Sequence, residues 1–142
     1  MKIAIGSDHG GYLLKEDIKK YLSKSKIGSK DFGAYREESV DYPDIGKKVA
    51  KAVASKKFKF GILVCGTGLG MSMVANRVKG IRAALCHNVY TAKMSRAHND
   101  ANILCLGGRV LKKALALKIV EAFLKTPFEG GRHLRRVRKI EK

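Results

Sequence analysis

The run Phe60-Gly61-Ile62-Leu63-Val64-Cys65 constrains this chain most, because it holds no charge and is followed at once by Gly66-Thr67-Gly68-Leu69-Gly70. A strand that is apolar on both faces has to be covered on both faces, and that happens in the interior of a parallel sheet with helices on either side. The remaining sequence fits such a frame, since short β-like runs alternate with longer stretches of helical periodicity. Ile3-Ala4-Ile5 reads as a first strand, and after Gly10-Gly11 the residues Leu13, Leu14, Ile18, Tyr21 and Leu22 recur at helical spacing. Residues 26–43 are irregular and should hold one short strand and a loop, with Pro43 opening a helix from about Asp44 to Lys56. The glycine loop leads into a helix through Met73, Val74 and Val78 that should close near Gly80. A strand from Ile81 to Cys86, a helix from Val89 to His98 and a strand from Asn102 to Leu106 follow. Leu111–Leu124 forms a strong amphipathic helix, and the basic tail after Gly130-Gly131 a last short one. The expected architecture is α/β: a single-domain three-layer αβα sandwich over residues 1–142, with a Rossmann-like parallel sheet of about five strands.

A chain of 142 residues with 45% hydrophobic composition supports one core rather than two. No apolar run approaches the ~18 residues of a bilayer-spanning helix. Met1-Lys2 leads into too few apolar residues for an export signal, so a cytoplasmic location is expected. Thirty Lys and Arg against twelve Asp and Glu give a net charge of +18, which raises the question of nucleic-acid binding. The basic residues are, however, spread along the whole chain, and the one dense run is Arg132, Arg135, Arg136, Arg138, Lys139 and Lys142. Such a spread describes a solvated, lysine-rich surface with some attraction for anionic metabolites, and no nucleic-acid partner is expected. Cys65, Cys86 and Cys105 contain no C-x-x-C pair, which suggests neither a disulfide framework nor a zinc finger.

Ligands of open parallel sheets collect beyond the carboxyl ends of the strands, beside the following helix N-termini. Three such ends carry unusual residues: Ser7-Asp8-His9-Gly10-Gly11, Cys65-Gly66-Thr67-Gly68-Leu69-Gly70 and Gly107-Gly108-Arg109. Alternating glycines between a buried strand and a helix expose backbone N–H groups that suit negative charge, although a simple tight turn would also use them. The loop is no dinucleotide fingerprint, because Met71 stands where the third glycine would be, and no Gly-Lys-Ser/Thr of a P-loop occurs. Cys65, the last residue of its strand and just ahead of a helix, is by pattern equally a core cysteine or one whose thiolate the helix dipole favours. Cys86 and Cys105 read as buried, inert side chains on strands. Asp8-His9 and the stretch Arg96-Ala97-His98-Asn99-Asp100-Ala101-Asn102 each offer an imidazole. A zinc ion could be imagined on Asp8, His9, Cys65 and His98, but no recognised ligand spacing supports it. Arg132 and Arg136 share one helical face and can grip a phosphate together, or simply face solvent.

Taken together, these segments, with Asp41-Tyr42-Pro43-Asp44, Ala75-Asn76-Arg77, Gly80-Ile81-Arg82-Ala83 and Gly130-Gly131-Arg132-His133, resemble the type B ribose-5-phosphate isomerases, within the ribose/galactose isomerase superfamily. The resemblance runs from residue 1 to about 140 with every motif in order. It implies aldose-ketose isomerisation of D-ribose 5-phosphate and D-ribulose 5-phosphate through an enediolate, with no metal or organic cofactor. It implies Cys65 as the base, His98 in ring opening, and Thr67 as a third catalytic residue. Gly66, Thr67, Gly68, Leu69 and Gly70 would stabilise the enediolate, Asp8 and Asn99 would bind sugar hydroxyls, and Tyr42 would line the pocket. His9, Arg109, Arg132 and Arg136 would hold the phosphate. The resemblance further implies a homodimer, or a dimer of dimers, with active sites shared between subunits. A galactose-6-phosphate or allose-6-phosphate isomerase subunit is the alternative within the superfamily, and a nucleic-acid-binding protein the alternative outside it.

Overall fold

The computed structural model describes residues 1–141, so Lys142, the end of the basic run, lies outside the described residues. The central uncharged run is strand β3 (Phe60–Cys65), buried along its entire length. β1 (Lys2–Ser7) and β5 (Ile103–Gly107) flank it, and β2 (Gly28–Asp31) and β4 (Ala83–Leu85) close the edges. All pairings are parallel, in the order β2-β1-β3-β5-β4. The six α-helices among the described residues are α1 (Tyr12–Lys24), α2 (Tyr42–Ala54), α3 (Leu69–Ala75), α4 (Val89–Ala97), α5 (Lys113–Lys125) and α6 (Arg132–Ile140). None of them is long and apolar enough to cross a membrane.

The period of two along each strand divides the interior. Ile3, Ile5, Ile62, Val64, Leu104 and Leu106 point to one face, under Ile18, Leu22, Ala92, Ile119 and Phe123 of α1, α4 and α5. Ala4, Leu63, Cys65, Ile103 and Cys105 point to the other, under Val49, Ala50 and Met71 of α2 and α3. These are the two helical layers expected from a strand that has no polar side. Pro43 stands in the first turn of α2, as expected, but the helix starts at Tyr42 and ends at Ala54.

Two elements are shorter than the hydrophobic pattern predicts. α3 ends at Ala75 and not near Gly80, because the Asn76 side chain is held by the next strand: its Nδ2 donates to Ala83 O at 3.0 Å and its Oδ1 accepts the Ala83 N–H at 2.8 Å. β4 starts at Ala83 and not at Ile81, since the Ile81 N–H is bound to Val78 O and the Arg82 N–H to Asn102 Oδ1. Cys86 therefore lies just past a strand; it and Cys105 are buried, as expected, and burial pushes both thiols up from their ordinary range.

Lys15, a charged residue on the face of α1 that carries Ile18 and Leu22, is fully buried. Its ammonium lies 2.9 Å from Asp31 and also donates to Ala34 O, while Lys19 lies 2.9 Å from the same carboxylate. Burial alone would raise the Asp31 carboxyl; the Gly33 N–H and the two ammonium groups outweigh it and hold it below its ordinary value. Asp31→Asn strands a buried cation and should cost about 3 kcal/mol. Because the folded value is depressed, that stabilisation is complete above the unfolded value of about 3.9 and is lost as pH falls through the folded one. Urea unfolding of wild type and variant should show the full gap at pH 7 and a reduced gap near pH 3; an equal gap at both would contradict the assignment.

Candidate functional site

The sequence order of strands reverses on either side of β1, so the carboxyl ends of β1 and β3 face a crevice between diverging connections. Backbone hydrogen bonds fix three loops there. Asp8 N–H donates to Val64 O at 3.2 Å, Gly108 N–H to Cys65 O at 2.8 Å, and Arg109 N–H to Gly66 O at 3.0 Å. Asp8 is buried, and its Oδ1 accepts the Gly11 N–H at 3.1 Å, which ties down the turn His9–Gly11. His9 Nδ1 accepts the Val40 N–H at 3.4 Å. The Arg109 guanidinium lies over the backbone of Gly10 and Gly66, where a Cβ on either glycine would come within 3.3 Å of it.

Cys65 is buried and its Sγ accepts the Gly68 N–H at 3.1 Å. Gly68 reaches that position with φ +80°, and a Cβ on it would stand 2.5 Å from Leu85 Cδ1 and 3.0 Å from the Leu106 carbonyl carbon. Thr67 Oγ1 accepts the Leu69 N–H at 3.2 Å. Tyr42, half-exposed at the start of α2, lays its ring against Gly70, where a Cβ would stand 2.5 Å from Cε1. Asp8, His9, Tyr42, Cys65, the loop Gly66 to Gly70 and Arg109 are thus gathered at one edge of the sheet. The arrangement offers a thiol, an imidazole, a carboxylate, a guanidinium and an arc of backbone donors around one crevice.

His98, Asn99, Arg132 and Arg136 are not there. α4 runs back against the strand direction, so its end at His98 lies at the amino edge of the sheet. Arg96, two residues before, stacks its guanidinium 4.7 Å from the ring centroid of Phe60, the first residue of β3. Phe60 and Cys65 are separated by the length of β3, on the order of 16 Å at about 3.3 Å per residue. The stretch Arg96 to Asn102 also divides by role. Arg96 Nη1 donates to Asp100 Oδ1 at 2.9 Å and to Ala101 O at 2.6 Å, and Asn102 bonds the backbone of Arg82 and Gly80. These residues brace the loop and leave His98 partly exposed and Asn99 exposed. Asn99 lines a cavity of about 570 Å³ with Arg77, Arg82 and Glu141, well removed from Cys65.

His133, the second residue of α6, stacks on His98 with ring centroids 4.2 Å apart. Glu129 Oε1 lies 3.8 Å from His98 Nε2 and 3.4 Å from His133 Nε2. Burial, and then the neighbouring His98, Arg132 and Arg136, hold the His133 imidazole below its ordinary value against the pull of Glu129. The sequence motifs do not include Glu129, and they carry His133 only as the last residue of Gly130-Gly131-Arg132-His133, with no role attached. The set Asp8, His9, Cys65 and His98, weighed as zinc ligands, is not assembled, because His98 lies at the other edge.

Residues 3–140 match the family described as Ribose/Galactose Isomerase. The chain is 46% identical over 139 residues to ribose-5-phosphate isomerase B of Escherichia coli strain K12, covering 98% of this chain and 93% of that one. It is similar to the structure of ribose-5-phosphate isomerase B from Clostridium thermocellum, with TM-score 0.98 and 60% identity over 99% of this chain and 95% of that one. It is also similar to that of the Mycoplasma genitalium enzyme with bound ribulose-5-phosphate, with TM-score 0.94 and 45% identity over 98% and 93% of the two chains.

Gly68→Ala should lower stability by about 3 kcal/mol, combining left-handed strain of about 1–2 kcal/mol with a clash. Gly80→Ala, at φ +88° with nothing within 4 Å, should cost only the strain. Urea unfolding of both variants checks this, and equal losses would show that the turn at Gly68 is not tightly packed.

Proposed function

The chain belongs to the ribose/galactose isomerase family, and we propose that it interconverts D-ribose 5-phosphate and D-ribulose 5-phosphate in the cytoplasm with active sites shared between two copies. The observation that carries the chemistry is Cys65 at the end of a buried strand, with the Gly68 N–H on its sulfur and the donor loop beside it. Moving the carbonyl from C1 to C2 requires loss of the C2 proton. The Cys65 thiolate takes it, an enediolate forms across C1 and C2, and the thiol returns the proton to C1 while the hydroxyl proton passes between the two oxygens. Of the loop Gly66, Thr67, Gly68, Leu69 and Gly70, the Gly68 and Leu69 N–H groups are taken by Cys65 Sγ and Thr67 Oγ1, and the N–H groups of Gly66, Thr67 and Gly70 stabilise the oxyanion, loss of one such donor costing about 2.7–4 kcal/mol in comparable sites. Tyr42 lines the same crevice.

His98 opens the furanose ring by moving a proton at the ring oxygen, with Asp8 and Asn99 on the hydroxyls. His9, Arg109, Arg132 and Arg136 bind the phosphate, the arginines through two parallel N–H donors each. A single chain holds Cys65 and His98 a strand's length apart, so one sugar cannot meet both unless the second comes from another copy. The exposed apolar side chains at the Cys65 edge support that arrangement: Leu69 and Met73 on α3, Tyr90 on the first turn of α4 and Val110 after β5 are all at least half-exposed. A second copy that covers them and brings its own His98, Asn99, Arg132 and Arg136 would complete the site. The reaction itself favours no nucleic-acid partner, and the sugar phosphate is the ligand that the arginines fit.

The first test is the rate of D-ribose 5-phosphate isomerisation by the purified chain, with D-galactose 6-phosphate in parallel. Pentose turnover should fall by at least about 10²–10⁴-fold in Cys65→Ala; turnover of the hexose alone would transfer the assignment to the galactose-6-phosphate branch. Mixing unfolded Cys65→Ala and His98→Asn chains and refolding them together should restore about a quarter of wild-type activity, since half the dimers are mixed and each has one intact site. A mixture as inactive as its parents would place both residues in one chain's site.

A further inference from the structure

The cluster of His98, Glu129 and His133 is more than a neighbourhood of polar groups. His133 is 6% exposed, and its Nε2 is buried without a hydrogen-bond partner. That atom lies 3.4 Å from Glu129 Oε1, the oxygen that also lies 3.8 Å from His98 Nε2, and the ligand-type atoms of the three residues fall within 4.8 Å of one another. A tetrahedral zinc ion with bonds of about 2.0–2.1 Å separates its ligand atoms by roughly 3.3 Å, so closing this triangle takes shifts of an ångström or so. His98 and Glu129 are partly exposed and free to make them, whereas His133 is fixed in the packed part of α6. The two imidazole planes lie 8° from parallel, so ion entry tips the more exposed His98 ring off the stack. Two nitrogens and one carboxylate oxygen leave a fourth position for water, the donor set of an open zinc site.

We propose that His98, Glu129 and His133 bind one zinc ion per chain, and that the ion inhibits isomerisation by drawing His98 away from the sugar ring. Binding follows from the cluster itself; inhibition rests on the ring-opening role of His98 proposed above. The metal takes no part in turnover. It engages the face that carries His98 and leaves Cys65 untouched, which separates it from the ordinary attack of zinc on a reactive thiol.

Zinc chloride titrated calorimetrically into the metal-free full chain should fill one site per chain. Glu129→Gln and His133→Gln should each weaken it by at least about tenfold, no less than the loss of a supporting partner costs in other zinc sites, while Cys65→Ala should leave it unchanged. Cobalt in place of zinc should give d–d bands without thiolate-to-metal charge transfer. Zinc should abolish ribose 5-phosphate turnover reversibly with EDTA, and Glu129→Gln should raise the zinc needed for half-inhibition by the factor its affinity falls. No binding, binding unaltered in both variants, or a thiolate band that disappears in Cys65→Ala would overturn the site. Normal binding with undiminished turnover would overturn the inhibition. A chain inactive even without metal would instead count against the isomerase reading, with calorimetry still deciding the site.

Discussion

The end of β3 is the constraint on which the rest depends. A strand buried on both faces has no water for its backbone groups, so each must find a partner in the chain. Within the sheet these are β1 and β5; at and beyond its end the carbonyls of Val64, Cys65 and Gly66 take the N–H groups of Asp8, Gly108 and Arg109. Backbone saturation therefore sews three loops together at one place. The side chains those loops carry, Asp8 and His9, Cys65 and Thr67, and Arg109, converge because their backbones have nowhere else to go. The crevice is built before any side chain touches another, which is the rigid support a base and its oxyanion donors need.

The same architecture keeps His98 and Cys65 at opposite edges of the sheet within one chain. Helices of a parallel sheet run back against the strands, so whatever stands at a helix end is carried to the amino edge. His98 is such a residue, and the stacking of Arg96 on Phe60 and the bonds from Arg96 to Asp100 and Ala101 hold the loop there. α6 then docks on it through His133 and brings Arg132 and Arg136 to the same side. The separation follows from strand length, while exposed apolar residues, Leu69, Met73, Tyr90 and Val110, stand at the Cys65 edge.

The sequence made the interior legible because hydrophobic period is a direct record of burial. β3 has the bounds that its apolar run indicates, and the helices α1, α4 and α5 fall within a few residues of their periodic stretches. β2, Gly-Ser-Lys-Asp at an exposed edge, has no such record, and only the irregularity around it indicated a strand. Val78 and Ile81 are apolar at positions that continue a helix and start a strand, yet Asn76 and Asn102 claim the backbone there through side-chain amides. Lys15 shows the opposite failure: its burial depends on Asp31, sixteen residues away, and one-dimensional periodicity does not contain that pairing. For the site, the motifs at strand ends come together at one edge; which edge His98 occupies is a property of helix direction, legible once the topology is drawn.

Charge supplies the last distinction, between a surface and a site. The net +18 is spread over a chain in which Lys19, Arg82 and Arg96 are drawn into ion pairs and Lys15 into the interior, so a large share of the basic residues does local structural work or faces solvent singly. A diffuse positive field concentrates anions of every kind around the molecule and selects none of them. Selection needs donors whose direction is fixed. Arg109 has its backbone bound to Gly66 O and its guanidinium laid over Gly10 and Gly66. Guanidinium groups placed in this way present paired donors in a plane, which a lysine ammonium cannot do. The lysines supply a diffuse field that carries no direction of its own, whereas a guanidinium anchored by its backbone, as at Arg109, offers paired donors at a defined place.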